Sequence, residues 1–128
     1  MTGTSLYLKD KKPSVTRIGV CPAPNERVCA IHSPFKTRCN ILLQVPGPRA
    51  FSLLEPVEFP WREAVHGVEE VKSFESYEKS LELCRNGLLV GPSSGLSLVG
   101  LLQYLQRMKD EGKLDSLRNS DGDIICEW

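Results

Sequence analysis

The sequence predicts an α/β fold with a mainly parallel sheet. Short apolar runs that suit β-strands alternate with segments of helical period, which is typical of this class. One of these runs leads through a glycine-rich turn directly into a helical segment. The composition, with 41% hydrophobic and 25% charged residues, is that of a globular protein. The 128 residues are enough for one domain with one hydrophobic core.

The first 20 residues predict the end of a helix followed by a strand. Two features end the helix: lysines at 9, 11 and 12, which the helix dipole favours at a C-terminus, and then Pro13. Residues 15–20 are a short run of strand-forming residues. Residues 21–62 hold seven of the nine prolines and keep neither a strand nor a helix period, so no regular element is predicted there.

The second half of the chain is more regular. Residues 68–71 predict a strand, and Ser73 is expected to cap a helix over 74–86. A buried strand is predicted at 87–91, then a turn at 92–95. The predicted core face of the first helix consists of Phe74, Tyr77, Leu81 and Cys84.

A second helix is predicted over residues 95–109. A short third helix is expected around Leu114 and Leu117, and a final strand from residue 123 to the end. The predicted core stripe of the second helix consists of Leu98, Leu101, Leu102, Leu105 and Met108.

Charge and cysteine content exclude several classes of protein. The 16 basic residues balance the 16 acidic ones, so no surface for nucleic acid or an anionic membrane is predicted. No apolar stretch reaches the roughly 18 residues of a membrane span, and the first residues contain no signal-peptide core. Five cysteines without a Cys-x-x-Cys pair indicate reduced thiols, and hence a cytoplasmic protein.

The strand–turn–helix segment around Ser93 is the most informative part of the sequence. Such a turn presents backbone N–H groups and hydroxyls to a ligand at the end of a strand. In a simpler interpretation Ser93 or Ser94 only caps the helix. Gly91, Ser93 and Gly95 also match the Gly-x-Ser-x-Gly pattern of α/β-hydrolases. In those enzymes the catalytic His follows the Ser, whereas both histidines of this chain precede it, which argues against a hydrolase.

A zinc site is not favoured by the sequence. Cys29, His32 and Cys39, with Cys21 upstream, are not spaced as the two close pairs typical of such sites. We therefore expect no metal site.

The run Gly-Leu-Leu-Val-Gly-Pro-Ser-Ser-Gly at residues 87–95 closely resembles the turn of the cysteine synthase family. These are pyridoxal-phosphate enzymes of fold type II, the tryptophan synthase β-like fold. The segment from Thr2-Gly3 to Gly19-Val20 resembles the family's sequence just after its phosphate-binding loop. Residues 45–49 and 56–61 are similar to a fungal branch. The resemblance, over residues 1–27 and 45–125, implies part of the large three-layer domain of these enzymes.

The resemblance implies pyridoxal 5'-phosphate as cofactor, with the Ser93 hydroxyl hydrogen-bonded to the pyridine nitrogen. Gly91 and Gly95 would let the backbone approach the ring. The implied activity is that of a transferase or lyase: β-replacement that forms cysteine from an O-activated serine and sulfide, as in cysteine biosynthesis. The implied partners are an amino-acid substrate and a second copy in a homodimer.

Several parts of the family's pattern have no match in this sequence, among them the Schiff-base lysine, the phosphate-binding loop and the substrate-carboxylate loop. We therefore expect residues 1–128 to be an incomplete, C-terminal part of the enzyme domain that is inactive alone. The expected location is the cytoplasm, and a mitochondrial association of full-length relatives is the alternative. The alternative from another class is a non-catalytic α/β interaction fragment that binds through the proline-rich residues 45–61.

Residues 28–44 interrupt the resemblance. Without these 17 residues the flanking sequences join as the family's loop does. The segment begins with Val, whose codons start with GT, and ends with Gln, one of whose codons is CAG, as a translated intron would. A surface-loop insertion is the alternative, since long loops add little closure entropy.

Overall fold

The structure is a computed structural model, and it describes residues 2–24, 45, 47–48 and 61–126. Two strands form a parallel pair beside several helices, which confirms the predicted α/β class. The elements in chain order are helix α1 (Thr2–Lys11), strand β1 (Ile18–Pro22), helix α2 (Trp61–Ala64), strand β2 (Gly67–Val71), helix α3 (Ser73–Arg85), helix α4 (Pro92–Asp110) and a 3₁₀ helix (Leu114–Leu117).

The start of the two-stranded sheet is fixed by Arg17 and His66. The Arg17 backbone N–H donates to His66 Nδ1 at 3.0 Å, and the His66 backbone N–H donates to the Arg17 carbonyl at 2.7 Å. The buried guanidinium of Arg17 also donates to the Ala64 and Val15 carbonyls. Pairing therefore begins just after these residues, with Ile18 opposite Gly67. This explains why β1 starts three residues later than the sequence predicted.

The hydrophobic core lies where α4 packs on the sheet. Val45, Val71 and Leu96 are its buried residues, and Val20 and Val99 pack against them. At Gly100 a Cβ atom would lie 2.6 Å from a methyl group of Val20, so the absence of a side chain lets α4 approach β1 closely. The core thus holds the N-terminal half of α4 against the strands.

The predicted core face of α3 is wrong at two of its four residues, whereas Tyr77 packs against the core and Cys84 is half-buried. Phe74 and Leu81 are exposed, and the residues that α3 buries are Ser73, Ser76 and Ser80. The reason is the close approach of α4, which only small side chains permit. Ser73 is also the first residue of the helix, and Lys72 occupies the N-cap position in place of the predicted Ser73.

The predicted core stripe of α4 is also wrong. The buried residues of this helix are Gly95, Leu96 and Gly100, whereas Leu102 is exposed and the rest of the predicted stripe is half-buried. Contact with both α3 and the sheet selects a face that combines glycine with a single leucine. The helix also begins at Pro92, so the predicted turn at 92–95 is its first turn.

The segments 87–91 and 123–126 are not strands. Gly87, at φ +91°, ends α3 by donating its N–H to the Cys84 carbonyl, and Leu88 donates to the Leu83 carbonyl. These two hydrogen bonds form a Schellman cap, and the left-handed conformation that the cap requires at Gly87 favours glycine. Leu88, Leu89 and Ile125 are exposed. A strand needs a hydrogen-bonded neighbour, and in the part of the chain that the structure describes only β1 and β2 pair.

No helix among residues 2–24 and 61–126 is both long and apolar enough to cross a membrane. The predicted third helix is confirmed as the 3₁₀ helix.

Candidate functional site

The chain enters α4 at Gly91 and Pro92 without a side-chain cap. Gly91 occupies the N-cap position in an extended conformation, and Pro92 is the first helical residue. Proline suits this position because it has no N–H to satisfy and its φ already fits a helix. The N–H groups of Ser94 and Gly95 donate to the Gly91 carbonyl, at 3.0 and 3.4 Å. No side chain caps the helix. The interpretation of Ser93 or Ser94 as a capping residue is therefore wrong.

Ser93 is exposed in the first turn of α4. Within the described residues its hydroxyl makes no hydrogen bond, and its carbonyl accepts one from Ser97 Oγ at 3.2 Å. Ser93 lies near the start of a 19-residue helix and therefore at the positive end of the helix dipole. Ser93 thus offers an unused hydroxyl to a ligand.

The two glycines beside Ser93 have different surroundings. A Cβ atom at Gly91 would meet nothing within 4 Å, so space is open above this end of the turn. Gly95 is buried, and a Cβ atom there would lie 2.1 Å from the Ser76 carbonyl oxygen. Gly95 therefore has a packing role against α3. The cofactor contacts predicted for Gly91 and Gly95 stay predictions.

Helix α3 holds the turn on both sides of its N-cap. Ser76 Oγ donates to the Pro92 carbonyl at 2.6 Å, and Cys84 Sγ lies 3.5 Å from the Val90 carbonyl. The sequence predicts neither contact, because Ser76 has no sequence signal of its own and the helical period puts Cys84 on an apolar core face. Ser76 and Cys84 are eight residues apart, which places them on the same side of α3.

His66 is held by Arg17 through both ring nitrogens. Nδ1 accepts from the Arg17 backbone, and Nε2 lies 3.2 Å from a guanidinium nitrogen. A general base for Ser93 would need one ring nitrogen directed at the serine. The structure therefore gives His66 a role in strand pairing, and His32 lies outside the described residues.

A groove of about 930 Å³ lies between α3 and α4 and does not include Ser93. Its lining includes five carboxylates, at Glu75, Glu78, Glu82, Asp110 and Glu111. A hydrogen bond and the charge of Lys113 hold the pKa of Glu111 below its ordinary value. Lys79, Arg85 and Arg107 line the same groove, so side chains of both charges face it.

The family model for pyridoxal-phosphate dependent enzymes matches residues 1–115. The match spans most of the chain, so the protein belongs to this family. Pyridoxal 5'-phosphate is the cofactor that membership implies.

The residues of the turn fit one end of this cofactor. A pyridine nitrogen needs a polar partner without competing bonds, and the Ser93 hydroxyl meets that need. A Cβ atom at Gly91 would meet nothing within 4 Å, so the described residues leave the backbone beside this hydroxyl accessible. Two other predictions concern residues outside the described ranges: the 28–44 insertion with Cys29, His32 and Cys39, and most of the proline-rich segment 45–61.

Proposed function

We propose that the protein takes part in pyridoxal-phosphate-dependent β-replacement, in which sulfide displaces the leaving group of an O-activated serine to form cysteine. The observation that carries the proposal is the Ser93 hydroxyl, exposed in the first turn of α4 and without a partner among the described residues. The likeness of residues 87–95 to the cysteine synthase turn supports the choice of this reaction within the family.

Ser93 would hold the pyridine nitrogen through its hydroxyl. A hydroxyl carries no charge, so it leaves the ring nitrogen largely unprotonated, unlike a carboxylate at the same place, whose negative charge favours the protonated ring. When bound, the cofactor supplies an electron sink of moderate strength, which suits elimination and replacement at the β-carbon. Gly91 would keep the approach to this hydroxyl open.

Ser94 provides a matched control, since it is the neighbouring serine in the same turn. The test titrates the purified chain and its Ser93→Ala and Ser94→Ala variants with pyridoxal 5'-phosphate and follows cofactor fluorescence. Ser93→Ala is expected to weaken binding roughly 2- to 12-fold, the equivalent of one net hydrogen bond, and Ser94→Ala to leave it within twofold. Equal behaviour of the two variants, or no saturable binding by the wild-type chain, contradicts the proposal.

The reaction itself is tested in a complete relative that carries the same turn. O-acetylserine and sulfide are supplied, and cysteine formation is measured beside cofactor retention. Replacing the serine equivalent to Ser93 by Ala is expected to reduce kcat more than retention, because this hydroxyl acts on the ring and not on the phosphate. A loss of retention without a change in kcat would remove Ser93 from the chemistry.

A further inference from the structure

We infer that Ser76 is a positioning residue for Ser93: its buried hydroxyl holds the peptide unit between Pro92 and Ser93 and so fixes the serine that the proposed function places against the cofactor. The inference rests on that proposed function. Ser76 lies on α3, 16 residues before Pro92, and has no exposed surface.

The hydrogen bond from Ser76 acts on the peptide that carries Ser93. Its acceptor, the Pro92 carbonyl, shares one rigid plane with the Ser93 N–H. A bond of 2.6 Å to this oxygen therefore restrains the rotation of that plane, and with it the Cα–Cβ direction of Ser93. The donor Ser76 has no exposed surface and the bond is part-buried, so removal of the hydroxyl takes away the contact that α3 makes with this carbonyl.

Ser76 makes a second contact with α4, at Gly95, which follows Ser93 in the sequence. The Ser76 carbonyl lies so close to the Gly95 Cα that no side chain fits between them. Ser76 thus contacts the turn at Pro92 through its side chain and at Gly95 through its backbone, with Ser93 between the two. Cys84 makes a weaker sulfur contact with the carbonyl of Val90, the residue before the N-cap of α4.

Ser80 is a matched control for Ser76. It is also a buried serine of α3, one turn further on, and faces the same helix. Its hydroxyl, however, donates to the Tyr77 carbonyl of its own helix at 2.8 Å. Removal of either hydroxyl changes the same number of atoms, but only Ser76→Ala removes a bond between α3 and the turn.

The first measurement needs no cofactor. ¹⁵N relaxation of the full chain gives the order parameters of the Ser93 and Ser94 amides in the wild type, Ser76→Ala and Ser80→Ala. In Ser76→Ala we expect these values to fall from about 0.85, typical of rigid backbone, toward about 0.6. Ser80→Ala is expected to leave them unchanged. Unchanged values in Ser76→Ala would overturn the inference.

The second measurement is a double-mutant cycle with pyridoxal 5'-phosphate as the titrant. Ser76→Ala is expected to weaken binding roughly 2- to 12-fold in the wild-type background, and to have no further effect once Ser93 is Ala. An equal loss in both backgrounds would show a merely structural role and overturn the inference. If the wild-type chain binds no cofactor, the proposed function fails, whereas the order parameters still decide whether Ser76 fixes the turn.

Discussion

Gly95→Ala is the substitution that most directly tests the packing of α3 against α4. The added Cβ atom would lie 2.1 Å from the Ser76 carbonyl oxygen and 2.9 Å from the Ser80 nitrogen. Carbon and oxygen atoms normally approach to about 3.3 Å, so the helices must separate by about 1 Å. Both neighbours are backbone atoms, which cannot move aside as the end of a flexible side chain can.

The expected loss of stability follows from two opposing effects. Overpacking of this kind costs about 3 kcal/mol, the upper end of the usual range, because the obstruction is backbone. Replacing glycine by alanine inside a helix returns up to about 1 kcal/mol through backbone entropy and propensity. The net destabilisation is therefore about 2 kcal/mol, which for a chain of this length lowers Tm by roughly 6–10 °C.

Thermal unfolding followed by circular dichroism measures this shift, and two other glycines calibrate it. Gly3→Ala, in α1, meets nothing within 4 Å and is expected to raise Tm slightly or leave it unchanged. The Tm of Gly100→Ala is expected to lie between those of Gly95→Ala and Gly3→Ala, because the added Cβ atom would meet the Val20 side chain and not backbone. If Gly95→Ala and Gly3→Ala melt at the same temperature, the close approach of α3 and α4 is refuted.

Three further predictions concern charged side chains. Arg17→Met should destabilise the chain by about 2–3 kcal/mol in urea unfolding, because the Ala64 carbonyl loses a buried charged donor and the Val15 carbonyl a part-buried one; a change below about 0.5 kcal/mol would contradict this. Lys113→Gln should raise the pKa of Glu111 toward its ordinary value in an NMR titration. The lowered pKa means that the pair stabilises the fold above the ordinary carboxyl range and stops doing so as pH falls through the lowered value. Glu69→Gln should cost about 0.5–1 kcal/mol at low salt and less at high salt, since its partner Arg107 is half-exposed; no salt dependence would argue against an ionic contribution.

Local sequence signals determined the order and type of most elements. The helix that ends before Pro13 and the strand at β2 need only a short run of residues to be recognised. Residues 92–95 are likewise recognised from proline, serine and glycine in one fixed order, although they form the first turn of α4 and not the separate turn that the sequence predicts. The resemblance of that turn identified the cofactor family before any packing was known. What these signals share is that each depends on neighbours along the chain.

The tertiary structure alone decided which faces of α3 and α4 are buried and which apolar runs become strands. Hydrophobic periodicity selected Phe74 and Leu81, yet the close contact at Gly95 selects Ser76 and Ser80, because distance between helix axes, and not hydrophobicity, limits what fits there. Leu88 and Leu89 have strand propensity but no hydrogen-bonded neighbour among the described residues. The bond from Ser76 to the turn likewise joins residues that are distant in sequence, and a pattern read along the chain contains no information about such contacts.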